Sequence, residues 1–359
     1  MIRCAVITDI AVWSTGAGHI ARLRALIDFL ARYSLVTIVY IGRKPAENIV
    51  PLLPPRVNIV FLEHEHKSDE ERNILLVNKL LSFENYKICF IEYIHLSYFL
   101  RAIPDHVVSV LDAHDIISER NKSFNSLRYD NWDYEMPAER EFKIYRLYDK
   151  VMLISKNDFD ISARKTGKRN LILAPHPMRI KRKERAAAPK VIGFVASDYL
   201  PNVDAICWFL KEVWPSIPKS LGLELHLYGL ICRKVPLNNG IENVFLKGFA
   251  SDLDIMYSQI DIAINPVRMG SGMKIKNIEA LAYGIPLVTT HHGSSGIEQG
   301  IGNSFLTAQT GEQFAESVIR LALDNEMYQR FSDNALILVE KQFSDEKCFG
   351  QIKKILLKK

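Results

Sequence analysis

One stretch constrains this chain more than any other: residues 261–298, DIAINPVRMGSGMKIKNIEALAYGIPLVTTHHGSSGIE. Ile262, Ala263 and Ile264 form a short apolar run, the mark of a strand buried on both faces of a parallel sheet. Pro266 ends it. Gly270-Ser271-Gly272 then makes a turn whose glycines let the backbone approach a partner closely. A helix is expected from Met273, because Ile275, Ile278 and Ala282 share one face at helical spacing while Lys276, Glu279 and Tyr283 share another. Gly284 stops the helix. Leu287–Thr290 is the next strand, and 291–296 a second loop. A strand, a glycine turn, a helix and a strand in this order demand an α/β fold with a parallel sheet.

The same stretch carries chemistry. A helix N-terminus attracts anions, phosphate above all, through its N–H groups and dipole. Lys274 and Lys276 add positive charge. Glu279 is a poor phosphate ligand, but a carboxylate one turn further along suits vicinal hydroxyls, as on a ribose. Phosphate at the turn and hydroxyls at Glu279 describe a nucleoside diphosphate. The plainer alternative makes the glycines loop punctuation and Lys276/Glu279 a solvated ion pair.

The run Lys276-Asn277-Ile278-Glu279-Ala280-Leu281-Ala282-Tyr283-Gly284-Ile285-Pro286-Leu287-Val288 resembles the donor-site signature of family-four glycosyltransferases of the GT-B fold. There a glycine turn precedes a helix reading roughly K-x-x-E-A-x-A-x-G-x-P-x-V. The resemblance implies two Rossmann-like, doubly wound domains facing a cleft. It also implies transfer of a sugar, with retention, from a nucleotide-diphosphate sugar to an acceptor hydroxyl in glycan or polysaccharide synthesis. The donor would be held by Gly270, Ser271, Gly272, Met273, Lys274 and Glu279, with Lys276 stabilising the leaving diphosphate. One departure matters. Many members carry a second glutamate eight residues before the Glu279 position, against the donor sugar, and here that residue is Ser271. Backbone N–H groups of the turn would then hold the sugar.

At 359 residues the chain is long enough for two domains, each with its own core. Hydrophobic residues at 48% and charged residues at 24% fit an ordinary soluble globular protein. A net charge of +5 is too small to argue for nucleic acid, but suits an anionic ligand or membrane surface. Cys4, Cys89, Cys207, Cys232 and Cys348 show no metal or redox spacing and read as free thiols of a reducing cytoplasm. The N-terminus runs straight into a strand with no signal peptide. The most apolar stretch away from it, Ile88–Leu100, is broken by Glu92 and His95. No run reaches the roughly 18–20 residues of a membrane helix, so any membrane contact is peripheral.

Along the chain, residues 2–8 read as a buried strand. The loop Trp13–His19 and a helix Ile20–Tyr33 follow, opening a Rossmann-like half. The loop lacks a full dinucleotide fingerprint, and no acidic residue follows on the second strand. That argues against a nicotinamide cofactor. Strands Leu35–Ile41, Val57–Leu62, Ile88–Ile91 and Val107–Leu111, with a helix Lys67–Ser82, keep the rhythm of a parallel sheet. The last of these strands ends in Asp112-Ala113-His114-Asp115, at the edge where open α/β sheets carry ligands. A His between two carboxylates there has a movable pKa. Asn125–Asp133 reads as a mobile loop, Glu139–Tyr148 as a helix, Val151–Ile154 as a strand, and Ser155 as the N-cap of a helix from Lys156. Pro175-His176-Pro177 reads as rigid linker. Met178–Pro189, with its charge run Lys181–Arg185, is the domain boundary. The domains are then 1–177, for the acceptor, and 190–343, for the nucleotide sugar, with a final helix in 344–359.

In the second half, Val191–Ala196 is a strand and Val203–Val213 a helix. Leu223–Tyr228 and Val244–Leu246 are further strands, and 311–323 and 326–341 amphipathic helices. The resemblance implies further contacts: Gly18 with donor phosphate or acceptor, His114 against the donor sugar, Ser197 and Asn202 on the donor, and Phe249 and Ala250 on the base, mainly through backbone. It implies a C-terminal helix, Asp345–Leu357, crossing back to the first domain. Where other members use an Arg and a Lys for the diphosphate, Lys274, Lys276 or Arg268 takes that load, so no metal and no cofactor beyond the donor is called for. The acceptor would be a glycan, a lipid-linked sugar or a protein. Two other readings stand beside this one. A sugar-nucleotide 2-epimerase would need carboxylates on both sides of the cleft, and Asp112 and Asp115 supply one. A non-catalytic or regulatory sugar-nucleotide-binding subunit is the other.

Overall fold

The computed structural model describes residues 2–45, 53–63, 66, 69–83, 85–129, 134–182, 184, 188–235 and 241–358. The chain forms two compact units. The first holds Met1–Asn125, Asp130–Pro177 and Asp345–Lys359, and the second Ser126–Tyr129 and Met178–Ser344.

The first unit is built on seven parallel strands: β1 (Arg3–Thr8), β2 (Leu35–Ile41), β3 (Val57–Leu62), β4 (Tyr86–Glu92), β5 (Val108–Asp112), β6 (Lys150–Leu153) and β7 (Leu171–Leu173), in the order β3-β2-β1-β4-β5-β6-β7. The order reverses at β1/β4, the topological switch point of a doubly wound sheet. The central strands β1 and β4 are buried along most of their length, as their apolar stretches at residues 4–7 and 88–91 require. Helices α1 (Gly18–Ala31), α2 (Asp69–Phe83), α3 (Ile117–Ser126), α4 (Ala138–Tyr145) and α5 (Lys156–Thr166) cover the sheet. Ser155 caps α5, its Oγ accepting from the Asp158 N–H at 3.0 Å.

Several boundaries differ from the sequence reading. The expected start of α2 at Lys67 lies outside the described residues. A 3-10 segment, Ile94–Ala102, follows β4, and its tight turns have no period-3.6 signature to betray them. Asn125 is not in a mobile loop but in α3, and 130–133 of that loop lie outside the described residues. His176, in the expected rigid linker, is 4% exposed and belongs to the first unit.

The second unit has six parallel strands: β8 (Val191–Val195), β9 (Glu224–Tyr228), β10 (Val244–Gly248), β11 (Ile262–Asn265), β12 (Leu287–Thr290) and β13 (Phe305–Ala308), in the order β10-β9-β8-β11-β12-β13. Its helices are α6 (Leu200–Trp208), α7 (Leu253–Ser258), α8 (Ile275–Ala282), α9 (Gly311–Leu323) and α10 (Asn325–Gln342). The helix expected at Val203–Val213 starts a turn earlier and finishes as a π turn over Phe209–Val213. The last helix, α11 (Asp345–Leu357), returns to the first unit, where Phe349 packs on Phe29 with ring centroids 5.3 Å apart. Of the charge run at the boundary, Lys183 and Arg185 lie outside the described residues. Lys181 and Arg182 fasten to the second unit, each backbone N–H donating to the Ala282 carbonyl.

Candidate functional site

In the second unit the turn after β11 is held from three sides. Asn265 at the end of β11 donates to Asn277 on α8 (2.8 Å), and Asn277 donates to the Gly293 carbonyl in the loop after β12 (2.8 Å). Thr289 Oγ1 donates to the Asn265 carbonyl at 2.8 Å. Gly293 must be glycine here, since a Cβ would stand 2.2 Å from Thr289 Oγ1. Gly270 and Gly272 sit at φ 110° and 69°, in the left-handed region that favours glycine. The helix begins at Ile275 rather than Met273, because the backbone of Lys274 is extended and occupies the N-cap. The Lys274 ammonium folds back on the turn, donating to the Ser271 and Gly272 carbonyls at 3.1 and 3.0 Å. Gly284, at φ 70°, follows the C-cap Tyr283 and ends α8.

Lys276 is the central charge. Its Nζ donates to Asn202 Oδ1 at 2.7 Å and stands 4.7 Å from the centroid of the Phe194 ring. Asn202 in turn donates through Nδ2 to the carbonyl and Oγ of Ser197, both at 3.2 Å. The structure thus brings Ser197, Asn202 and Lys276, expected from separate motifs, into one hydrogen-bonded chain. Among the described residues Lys276 has no carboxylate partner. Burial, followed by the nearby Lys274 charge, pulls its ammonium down to about 7. Glu279 acts on it through space but not as a bonded partner, and an ammonium so placed is poised to receive an anion.

Glu279 does not pair with Lys276. One oxygen accepts from Tyr257 Oη at 2.8 Å, and burial pushes the carboxyl upward. Tyr257 stacks on Tyr283 at 4.7 Å, and Tyr283 Oη donates to Asp254. The expected Lys276/Glu279/Tyr283 face is therefore two networks, with Glu279 oriented by a buried tyrosine that the sequence reading missed. Arg268 is not available for a diphosphate: it makes two bonds to Asp204, at 2.6 and 3.0 Å, and stacks over Trp208. Phe249 stands half-exposed just beyond β10, with Ala250 partly buried beside it. His292, another residue the sequence reading passed over, lies beside the turn. Burial first, then Lys274, holds it neutral at about 4, and its Nε2 is buried with no partner among the described residues.

The first unit carries its own cluster at the carboxyl ends of β4 and β5. The register places Glu92 beside Asp112. Two neighbouring buried carboxylates are tolerable only with a counter-charge, and Arg22 on α1 supplies it. Arg22 donates to Asp112 through Nε (2.8 and 3.1 Å) and Nη2 (2.8 Å), and through Nη1 to the Ala174 carbonyl (2.9 Å). Both side chains of this ion pair are fully buried. His114 Nε2 lies 2.6 Å from Glu92 Oε2 and 4.0 Å from Asp112 Oδ2. The His114 ring stacks on Tyr93 at 4.1 Å, and both residues hold left-handed backbones, at φ 58° and 64°. Strained non-glycine residues of this kind concentrate at functional sites. His95 pairs with Asp9 at 2.7 Å nearby. Asp115 turns away to Arg120, 3.2 Å. Glu92, Asp112 and His114 bring one ligand atom each within 4.8 Å, but Arg22 already engages both Asp112 oxygens, so this is a charge network rather than a set of free metal ligands.

Gly18 is exposed as the first residue of α1; the left-handed glycine of that loop is Gly16, at φ 89°. Of the missed residues, Glu92 was visible as the charge that breaks an apolar run. Arg22 was hidden inside an amphipathic helix, where a buried arginine reads as a surface one.

Comparison with known proteins places this architecture. Residues 189–324 match the family model described as Glycosyl transferases group 1. An uncharacterized 44.6 kDa protein in the cps region of Klebsiella pneumoniae is 23% identical over 319 residues, covering 81% of this chain and 78% of that protein. TarM of S. aureus, solved with UDP, fondaparinux and alpha-GlcNAc-glycerol, superposes with a TM-score of 0.82 at 9% identity, over 99% of this chain and 100% of that one. Anabaena HepE, solved with UDP and glucose, gives 0.70 at 13% identity over the whole of both chains. The chain therefore has the GT-B fold, and its residues 189–324 carry the sequence signature of the group 1 glycosyl transferases.

Proposed function

We propose that the chain is a glycosyltransferase of family-four type, moving a hexosyl or related sugar, with retention, from a nucleotide-diphosphate sugar to an acceptor hydroxyl in glycan or polysaccharide synthesis. The observation that carries this reading is Lys276, a buried ammonium without a carboxylate partner, set at the start of the helix that follows Gly270-Ser271-Gly272. The diphosphate lies against the turn, Met273 and Lys276, and Lys274 keeps the turn in shape. As the anomeric bond breaks, the charge growing on the diphosphate is met by groups already in place. Glu279, steadied by Tyr257, takes the ribose hydroxyls. Ser197 and Asn202 hold Lys276 toward the donor, and Phe249 with Ala250 borders the base. Gly18 lies near donor phosphate or acceptor, and His114 steadies the reacting sugar. That HepE and TarM were each solved with UDP supports a uridine donor. The acceptor is a glycan, a lipid-linked sugar or a protein. No helix among the described residues is long and apolar enough to cross a membrane, and the proposed working place is the cytoplasm or its membrane surface. No metal is assigned a part.

The test is a panel of UDP-, GDP- and ADP-sugars with glycan acceptors, read by release of the nucleoside diphosphate. At least one donor should be turned over in an acceptor-dependent way; tight binding of a donor without turnover on any acceptor would point to a binding module. Glu279→Ala should weaken donor binding by about 1–3 kcal/mol, the worth of a lost buried hydrogen-bonding partner. Calorimetry on the variant checks this, and unchanged affinity would remove Glu279 from the ribose.

A further inference from the structure

We propose that Glu92 is a positioning residue for His114: it holds Nε2, fixes the ring, and so leaves Nδ1 as the nitrogen that meets the reactants. The proposal rests on the reading of His114 as a sugar-contacting group and adds what sets that group's chemistry.

Four observations carry it. Glu92 is 0% exposed, and its Oε2 is 2.6 Å from His114 Nε2. Its other oxygen, Oε1, is buried with no partner among the described residues. A carboxyl kept in the interior with half its bonding capacity unused, where a leucine would pack, needs a reason. The ring has little freedom to choose another orientation, because Tyr93 stacks on it at 4.1 Å and the strained turns at Tyr93 and His114 are adjacent strand ends. Finally, the obvious competitor for Nε2, Asp112, is committed to Arg22.

The proton count follows. With two protons on the Glu92–His114 pair, either Glu92 is a carboxylic acid donating to Nε2 or His114 is an imidazolium donating to Glu92. Nδ1 bears a hydrogen in both arrangements. With one proton on the pair, it lies between Oε2 and Nε2, and Nδ1 is a bare acceptor. Burial, with Asp112 adding to it, pushes the Glu92 carboxyl upward. This favours the two-proton state and makes His114 a hydrogen-bond donor toward a sugar hydroxyl or departing phosphate oxygen. The groups around the pair are accounted for. Arg22 neutralises Asp112 from α1. His176, beside Arg22, is held neutral at about 3. Burial keeps the Tyr93 phenol protonated, and Asp115 pairs with Arg120. His19 is lowered by burial and by His114.

The experiment compares wild type, Glu92→Gln and Glu92→Ala by transfer kinetics across pH and by two-bond 1H–15N spectra of the imidazoles. Glutamine can donate to Nε2 but cannot ionise. It should keep Nδ1–H and most of kcat, and lose the fall in activity expected of wild type at alkaline pH. Alanine should melt close to wild type, shift His114 toward the ordinary Nε2–H tautomer and lower kcat by about 10²-fold with donor KM little changed. A folded Glu92→Ala protein with wild-type kcat and an unchanged His114 tautomer would overturn the proposal, as would an alkaline limb that persists in Glu92→Gln. Should Glu92→Ala fail to fold, the Gln variant decides alone. If wild type transfers no sugar from any donor, the functional reading falls, and the spectra still decide whether Glu92 sets the His114 ring.

Discussion

Arg22→Met should cost the first unit about 3–5 kcal/mol of stability, the range for removing one partner of a buried ion pair. The size follows from what remains. Asp112 would keep its buried place at the end of β5 without its guanidinium, beside the Glu92 carboxyl, and the Ala174 carbonyl would lose its donor. Methionine fills the space of the aliphatic stem, so lost packing is a small part of the effect. Urea unfolding checks the figure, and the double variant Arg22→Met/Asp112→Leu should recover most of it, because the orphaned carboxylate is gone. A single-variant loss below about 1 kcal/mol, the level of an exposed pair, would mean that water reaches this site.

The largest loss of activity should come from His114→Ala, a fall in kcat of about 10²–10³-fold, the scale of one preorganised hydrogen bond to developing charge. Donor affinity should hold, since the ribose contact and, Gly18 apart, the diphosphate contacts proposed above belong to the second unit. The backbone at φ 58° strains histidine and alanine alike, histidine somewhat less, so only a modest drop in melting temperature is expected. His114→Asn, which tolerates that backbone, separates strain from chemistry: it should melt near wild type and remain impaired. Wild-type turnover in either variant would leave His114 a turn residue.

How much of this was legible beforehand depended on which physical signal each residue left. Buried parallel strands announce themselves as apolar runs, and the glycine turn and helix of residues 270–284 are set by local backbone needs, so the strand ladder and that turn and helix could be read directly. The charge partners could not. Lys276 and Glu279 are three residues apart on one helix, which favours an ion pair, yet tertiary packing sends one to Asn202 and the other to Tyr257. Arg268 looked like a phosphate ligand until Asp204, 64 residues earlier, was found beside it. Arg22 and Asp112 are 90 residues apart, and no periodicity encodes such a contact. The 3-10 segment after β4, which turns Tyr93 and His95 toward the strand ends, has too short a repeat to be seen.

The central claim is that Lys276 waits, without a bonded carboxylate, for a diphosphate, and the most direct test is calorimetric titration of the preferred nucleotide sugar between pH 6 and 9. The diphosphate of a nucleotide sugar is esterified at both ends and keeps its charge throughout, so the diphosphate itself contributes no slope. In the free protein Lys276 titrates at about 7, and the bound anion raises that value. Below pH 7 the ammonium is already charged and affinity is flat with respect to it. Above pH 7 binding must take up a proton, so affinity should fall as pH rises, by up to about tenfold per unit, and heats measured in two buffers should show that uptake. Lys276→Met should bind weakly and without slope. Wild-type affinity and an unchanged pH slope in Lys276→Met would contradict the account.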